Sequence, residues 1–243
     1  MSDQASLAVI IAAIALLYAT AGQAGGTAFL AVMALAGFPA EQMRPTALLL
    51  NIVAAGYATI WLQRAGAIDW GLLGRFLVAA LPAAFAGGLV VLGSGFYLVL
   101  TGVLLLAAAA LMALKRDADT AGGRSVATGP ALMAGAATGF LAGLTGIGGG
   151  AFLAPLIIAL GWASPRKVAG LSAPYILANS LVGFAGVTLA GQRVASGIAT
   201  YAVAALIGAA MGSAIASHVM TNRLTRYMLA LILAIAGVRL LLR

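Results

Sequence analysis

The stretch GLTGIGGGAFLAP at residues 143–155 decides the reading of this chain. Gly146, Gly148, Gly149 and Gly150 fall within five positions. Glycine loses more conformational freedom on folding than any other residue, so such a run interrupts a helix. The apolar run that follows, 150–161, is only 12 residues long, whereas a spanning helix needs about 20. A short helix that starts at a glycine break leaves its first N–H groups without intrahelical partners. In hydrocarbon each such group costs several kcal/mol unless something satisfies it. Free N–H groups at the positive end of a helix dipole are also a ready anion site. The competing reading is close packing, because small residues let membrane helices approach one another.

The first half of the chain carries the same feature. TAGQAGGTAFLAV spans 20–32, and GGTAFLA at 25–31 matches GGGAFLA at 148–154 in six of seven positions, at an offset of 123 in a chain of 243. Thr46-Ala47 matches Ser172-Ala173 with two residues of slippage, and Asn51 and Asn179 follow each pair. Apolar segments run at 6–21, 27–38, 45–63, 70–93 and 96–115, then at 129–145, 150–161, 168–190, 195–217 and 223–242. The only long polar stretch, RDADTAGGRS at 116–125, lies between the two sets. The chain therefore reads as a tandem duplication, with a first transmembrane repeat at 1–115, a cytoplasmic linker at 116–128 and a second repeat at 129–243.

Composition sets the class. Hydrophobic residues make up 63% and charged residues 7%, against about 25% charged in a soluble domain. So few charges cannot cover a water-facing surface, but lipid removes the need. The expectation is an all-α integral membrane protein with about 8–10 hydrophobic segments, multi-pass in the cell inner membrane. The N-terminus has no Lys or Arg before its first apolar run, so that segment reads as a retained helix and not a cleaved signal peptide. The net charge of +8 comes from basic residues scattered singly through the connections. Nucleic-acid binders cluster theirs, so nucleic acid is not an expected partner. With no cysteine, disulfides, thiolate metal sites and cysteine nucleophiles are excluded.

Five segments per half invert the second half relative to the first when the short one returns to its starting side. With a cytoplasmic linker, nine of the 13 basic residues (Arg64, Arg75, Lys115, Arg116, Arg124, Arg166, Lys167, Arg223 and Arg226) fall inside. Arg44, Arg193, Arg239 and Arg243 fall outside. An even number of crossings gives eight against five, so the positive-inside rule favours two inverted-topology repeats. Paired short, glycine-broken segments are the best sequence pointer to a transporter's binding site.

Candidate substrate-binding residues follow from the breaks: Gly22, Gln23, Gly25, Gly26 and Thr27 in the first, and Thr145, Gly146, Gly148, Gly149 and Gly150 in the second. Thr46, Asn51, Ser172 and Asn179 on the helices that follow join them, with Ser180 beside the last. Such polar residues also bond simply between helices. The acids, Asp3, Glu41, Asp69, Asp117 and Asp119, all lie at the terminus or in connections. Cation pumps and proton relays keep carboxylates within the membrane, so the pathway favours anions or neutral solutes. His218 reads as a headgroup-facing histidine, Arg75 as a snorkelling anchor, and Arg44 and Arg166 as interface anchors first. No acid pair, GxSxG or HExxH motif suggests an enzyme, and no cofactor or metal is expected.

At GxxGIGGGAFLAP the sequence resembles the TauE/SafE sulfite exporter family, also called the TSUP family. The resemblance covers essentially the whole chain, and Ser172-Ala173 fits the family segment after the motif. The first copy departs from it, with Gln23 and Ala24 where Gly146 and Ile147 stand in the second, and Val32 in place of Pro155. The resemblance implies export or uptake of sulfite, an organosulfonate or a related sulfur-containing anion, and the sequence leaves both a homodimer and a monomer open. The residues themselves reach an anion-favouring transporter, and leave open a passive anion channel or facilitator, or a carrier of a small carboxylate.

Overall fold

The computed structural model describes residues 2–20, 22–114, 126–216 and 222–242. All its regular elements are helices. In the first half they are α1 (Ser2–Thr20), α2 (Gly26–Leu35), α3 (Ala40–Arg64), α4 (Trp70–Leu89) and α5 (Ser94–Leu114). In the second they are α6 (Thr128–Thr145), α7 (Gly150–Ala159), α8 (Pro165–Leu189), α9 (Ile198–Ala216) and α10 (Asn222–Leu241). The linker core, His218 and the acids Asp117 and Asp119 lie outside the described residues, as does the side chain of Arg166.

The two halves match element by element. The short helices α2 and α7 are 10 residues each, about 15 Å at 1.5 Å per residue, or half the hydrocarbon thickness. Helices α3 and α8 are 25 residues each. Both start before the apolar runs do, because their first turns are polar: AEQMR in α3, and Pro165-Arg166-Lys167 in α8 after the Ser164 cap, whose hydroxyl accepts from the Lys167 N–H. Packing partners repeat when the halves are exchanged: α1 on α9 as α6 on α4, and α3 on α9 as α8 on α4. The short helices follow the same exchange, α2 packing on α10 as α7 packs on α5.

Small residues set these contacts. Gly135, Gly139 and Gly143 form one ridge of α6, seated on the backbone of Phe76, Ala80 and Ala84 of α4. The numbers advance together, so α4 and α6 run parallel. Gly208 and Gly212 of α9 sit likewise on Ala12 and Leu16 of α1. The opposite order holds for α3 and α8, where Leu48 meets Gly183 and Gly56 meets Leu177. It holds again for α5 and α10, where Gly102 meets Leu241 and Leu106 meets Gly237. Those two pairs are antiparallel. Close backbone contact of this kind is how helices associate where lipid and side chain are equally apolar.

Four helices are long and apolar enough to cross a membrane among the described residues: Ala40–Arg64, Trp70–Leu89, Lys167–Leu189 and Ile198–Ile215. The outer surface suits them, with Val78, Met133 and Leu189 each about 70% or more exposed. In water those side chains would be a liability, whereas against lipid tails they are in their own medium.

Arg44 corrects the sequence reading. It is not an interface anchor, being 1% exposed. Its guanidinium donates to the carbonyls of Val90 (2.7 Å), Leu144 (3.3 Å) and Gly88. These are the C-terminal carbonyls of α4 and α6, which no intrahelical N–H can reach and which carry the negative end of each dipole. A planar fork of donors serves several acceptors at once. Arg75 remains exposed and donates to the Val126 carbonyl at 3.0 Å.

Candidate functional site

Both short helices begin at a glycine that another residue type would strain. Gly25 precedes α2 at φ 100° and Gly149 precedes α7 at φ 82°, and neither helix start has a side-chain cap. In α2 the first backbone bond is Phe29 N–H to Gly25 O. In α7 both Phe152 and Leu153 turn to Gly149 O. No backbone hydrogen bond among the described residues uses the N–H groups of Gly26, Thr27, Ala28, Gly150 or Ala151. Several unpaired donors therefore cluster at the positive end of each helix.

The breaks meet at Asn51 of α3. A Cβ on Gly26 would run into the Asn51 amide and the Ile147 carbonyl, and one on Gly148 would lie 2.9 Å from Asn51 Nδ2 and 3.0 Å from Ser180 Oγ. Asn51 Nδ2 donates to the Gly146 carbonyl at 3.3 Å, tying the first-half helix to the second-half break. Asn51 and Ser180 are both fully buried. Asn51 Oδ1 and Ser180 Oγ have no hydrogen-bond partner. Buried polar atoms are nearly always paired, so these two stand out as atoms that could still accept or donate a hydrogen bond.

The family profile described as Sulfite exporter TauE/SafE matches residues 7–240. The chain belongs to the TauE/SafE sulfite exporter family. A curated relative, "Probable membrane transporter protein y4hK" of Sinorhizobium fredii (strain NBRC 101917 / NGR234), is 32% identical over 244 residues, covering 99% of each chain. No solved structure matches. The protein is thus a multi-pass membrane transporter and not an enzyme.

Of the residues that the sequence nominated, this TauE/SafE protein brings Gly26, Asn51, Gly146 and Gly148 into one cluster. Gly150 packs on Ile176 beside it. Gly25 is lined by Ile14 and Phe29, and Gly149 by Tyr175, Ala142 and Thr138. Gly22 rests on the Ala169 carbonyl, and Gln23, 7% exposed, sends its N–H to Tyr18 O.

The other polar candidates make their hydrogen bonds away from the cluster. Thr27 pairs with the Tyr18 hydroxyl at 2.7 Å. Thr145 donates to Leu141 O and accepts from Ile147 N–H, shaping the second break. Thr46 accepts from the Ala195 N–H at 2.9 Å, fastening the α8–α9 connection to α3. Ser172 bonds Val168 O within its own helix. Asn179 Nδ2 bonds Tyr175 O, leaving its Oδ1 unpartnered.

Asn51 and Asn179 are not counterparts. Asn51 is the twelfth residue of α3, and the twelfth residue of α8 is Ile176. The contacts agree, since Gly26 meets Asn51 where Gly150 meets Ile176. The central cluster is therefore polar on one side and apolar on the other. The sequence named Ser180 only beside Asn179, and it read Arg44 as an interface anchor first. Arg44 borders the cluster through Gly146, where an added Cβ would lie 2.9 Å from Arg44 Cγ. Tyr97 lies on the same side and donates to the Thr145 carbonyl at 2.7 Å.

Proposed function

We propose that the protein is a secondary transporter of a small sulfur-containing anion, sulfite or an organosulfonate, across the cell inner membrane, and that the anion binds where the starts of α2 and α7 meet Asn51 and Ser180. The observation that carries this reading is the pairing of two uncapped helix starts with two fully buried, unpartnered polar atoms. Each helix start supplies roughly half a positive charge, so two supply about one without an ionised side chain. The family supports the sulfur chemistry.

The two halves are, in this reading, inverted repeats. Its support is the antiparallel packing of the like-placed pairs α3/α8 and α5/α10, together with an exchange of halves that maps helix partners onto helix partners. Inversion sends α2 and α7 away from the membrane midplane in opposite directions, so their N-termini face one another there. Alternating access then follows from rocking one half against the other around a fixed site. Burying Arg44 removes one basic residue from the outer connections and strengthens the inward bias of the rest.

The test is flux into proteoliposomes with sulfite, methanesulfonate, acetate and a monovalent cation, with and without a pH gradient. The reading expects saturable uptake of a sulfur oxyanion or sulfonate and none of the cation. Cation flux, or anion flux that never saturates, would replace it with a different carrier or with a channel.

A further inference from the structure

Building on that site and choosing between the ligands it admits, we propose that the preferred anion is bound as a singly protonated species, one that carries a hydrogen-bond donor as well as its negative charge: hydrogen sulfite, ahead of the sulfite dianion and of a sulfonate that has acceptors only. The helix starts and the Ser180 hydroxyl offer donors, which any oxyanion accepts. Asn51 Oδ1 is different, being an acceptor that is fully buried and unpartnered. Its orientation is fixed by its other end, because Nδ2 donates to the Gly146 carbonyl at 3.3 Å. Exchanging the two amide atoms would set oxygen against oxygen. A second acceptor, the Ile147 carbonyl, faces Gly26 from across the break.

A fully deprotonated oxyanion has acceptors only. It would bring lone pairs against Asn51 Oδ1 and leave that atom unpaired. A protonated oxyanion gives its O–H to Asn51 and turns its remaining oxygens to the helix starts. Leaving a buried acceptor unmet is worth roughly tenfold or more in affinity, which is enough to select between two protonation states of one ligand. The charge inventory agrees, since about one positive charge from two dipoles matches a monoanion.

The titratable and charged groups on the elements packed against α3 are Tyr18 and Asp3 on α1, Tyr97 on α5, Arg166, Lys167 and Tyr175 on α8, and Tyr201 on α9. Glu41, Arg44, Tyr57 and Arg64 lie on α3 itself, and α2, α6 and α7 carry none. No histidine, the side-chain type that titrates near neutrality, is among them. His218 lies outside the described residues, so a pH dependence of binding between pH 6 and 8.5 that His218→Gln retains then reports the ligand.

The experiment measures initial rates of labelled sulfite uptake into proteoliposomes with equal pH inside and out, from pH 6 to 8.5, after subtracting protein-free vesicles. The expected result is a KM for total sulfite that rises with pH as the protonated form disappears, about tenfold per pH unit above the ligand's own ionisation. It becomes constant when expressed as hydrogen sulfite. Asn51→Leu, which removes the acceptor, should flatten the rise to within about threefold, while Ser180→Ala, which removes only a donor, should keep it. A wild-type KM that is flat or falls with pH overturns the inference and leaves the anion site standing. A steep rise retained in Asn51→Leu overturns the role of Asn51. No saturable sulfite flux at any pH from inserted, monodisperse protein overturns the site reading itself and the inference with it. The wild-type series decides even where Asn51→Leu fails to insert.

Discussion

Replacing Arg44 by methionine keeps the volume of the side chain and removes its charge and all its donors. Three carbonyls then lose their partner: Gly88 and Val90 at the end of α4, and Leu144 at the end of α6. An unmet buried carbonyl costs about 1–3 kcal/mol. The sum is offset in part, because the guanidinium no longer has to be desolvated, a penalty of several kcal/mol per buried ion. Val90 is exposed, so its carbonyl is the least costly of the three to leave unmet. The net loss expected is about 2–4 kcal/mol, or roughly 5–15 °C for a chain of this size. Arg44→Lys keeps the charge but not the fork, so it should fall between the two. The assay is the fraction of detergent-solubilised protein that stays monodisperse by size exclusion after heating. A methionine variant within about 2 °C of wild type, a margin of less than 1 kcal/mol, would refute the claim that Arg44 clamps the ends of α4 and α6.

Other predictions follow from the same contacts. Gly139→Leu places a side chain into the Ala80 backbone, so it should separate α4 from α6 and sharply lower the yield of monodisperse protein, whereas Gly129→Leu, with nothing within 4 Å, should not. Since the chain has no cysteine, single cysteines at Ser2, Gly122 and Leu242 can be labelled cleanly; inversion predicts that Gly122 reacts from the cytoplasmic side and the other two from the opposite side, and termini on different sides would sink it. Changing Asp3, Glu41, Asp69, Asp117 and Asp119 together to amides should leave saturable anion flux in place, and loss of turnover in a well-folded variant would require a carboxylate coupling site.

The helix breaks and their place in each half were legible because glycine runs and short apolar lengths are local signals. The observed starts at Gly26 and Gly150 lie within one residue of the apolar runs that announced them. The true starts of α3 and α8 were not legible from hydropathy, because their first turns are polar. Arg44 was misplaced for a related reason. A charge near the start of an apolar run reads as an interface anchor, and the carbonyls that it serves come from two other helices that meet only in the folded chain. The match of Asn51 with Asn179 followed residue type through a slipped alignment, whereas equal position in equal helices places Ile176 opposite Asn51. Ser180, named from the sequence only as a neighbour of Asn179, follows from the same count, since it lies one turn beyond Ile176 on the same face of α8.

The most direct test of the site is flux through Gly148→Leu. The added side chain would stand between Asn51 and Ser180, where even a Cβ comes to about 3 Å from each, and φ 84° adds strain to any L-residue there. Uptake of labelled sulfite by this variant is compared with that of Gly129→Leu at equal amounts of membrane-inserted, monodisperse protein. The account predicts saturable uptake in Gly129→Leu and no uptake above protein-free vesicles in Gly148→Leu. Uptake by inserted Gly148→Leu with the KM and rate of wild type would contradict it, because the anion would then be crossing somewhere other than between the two helix starts.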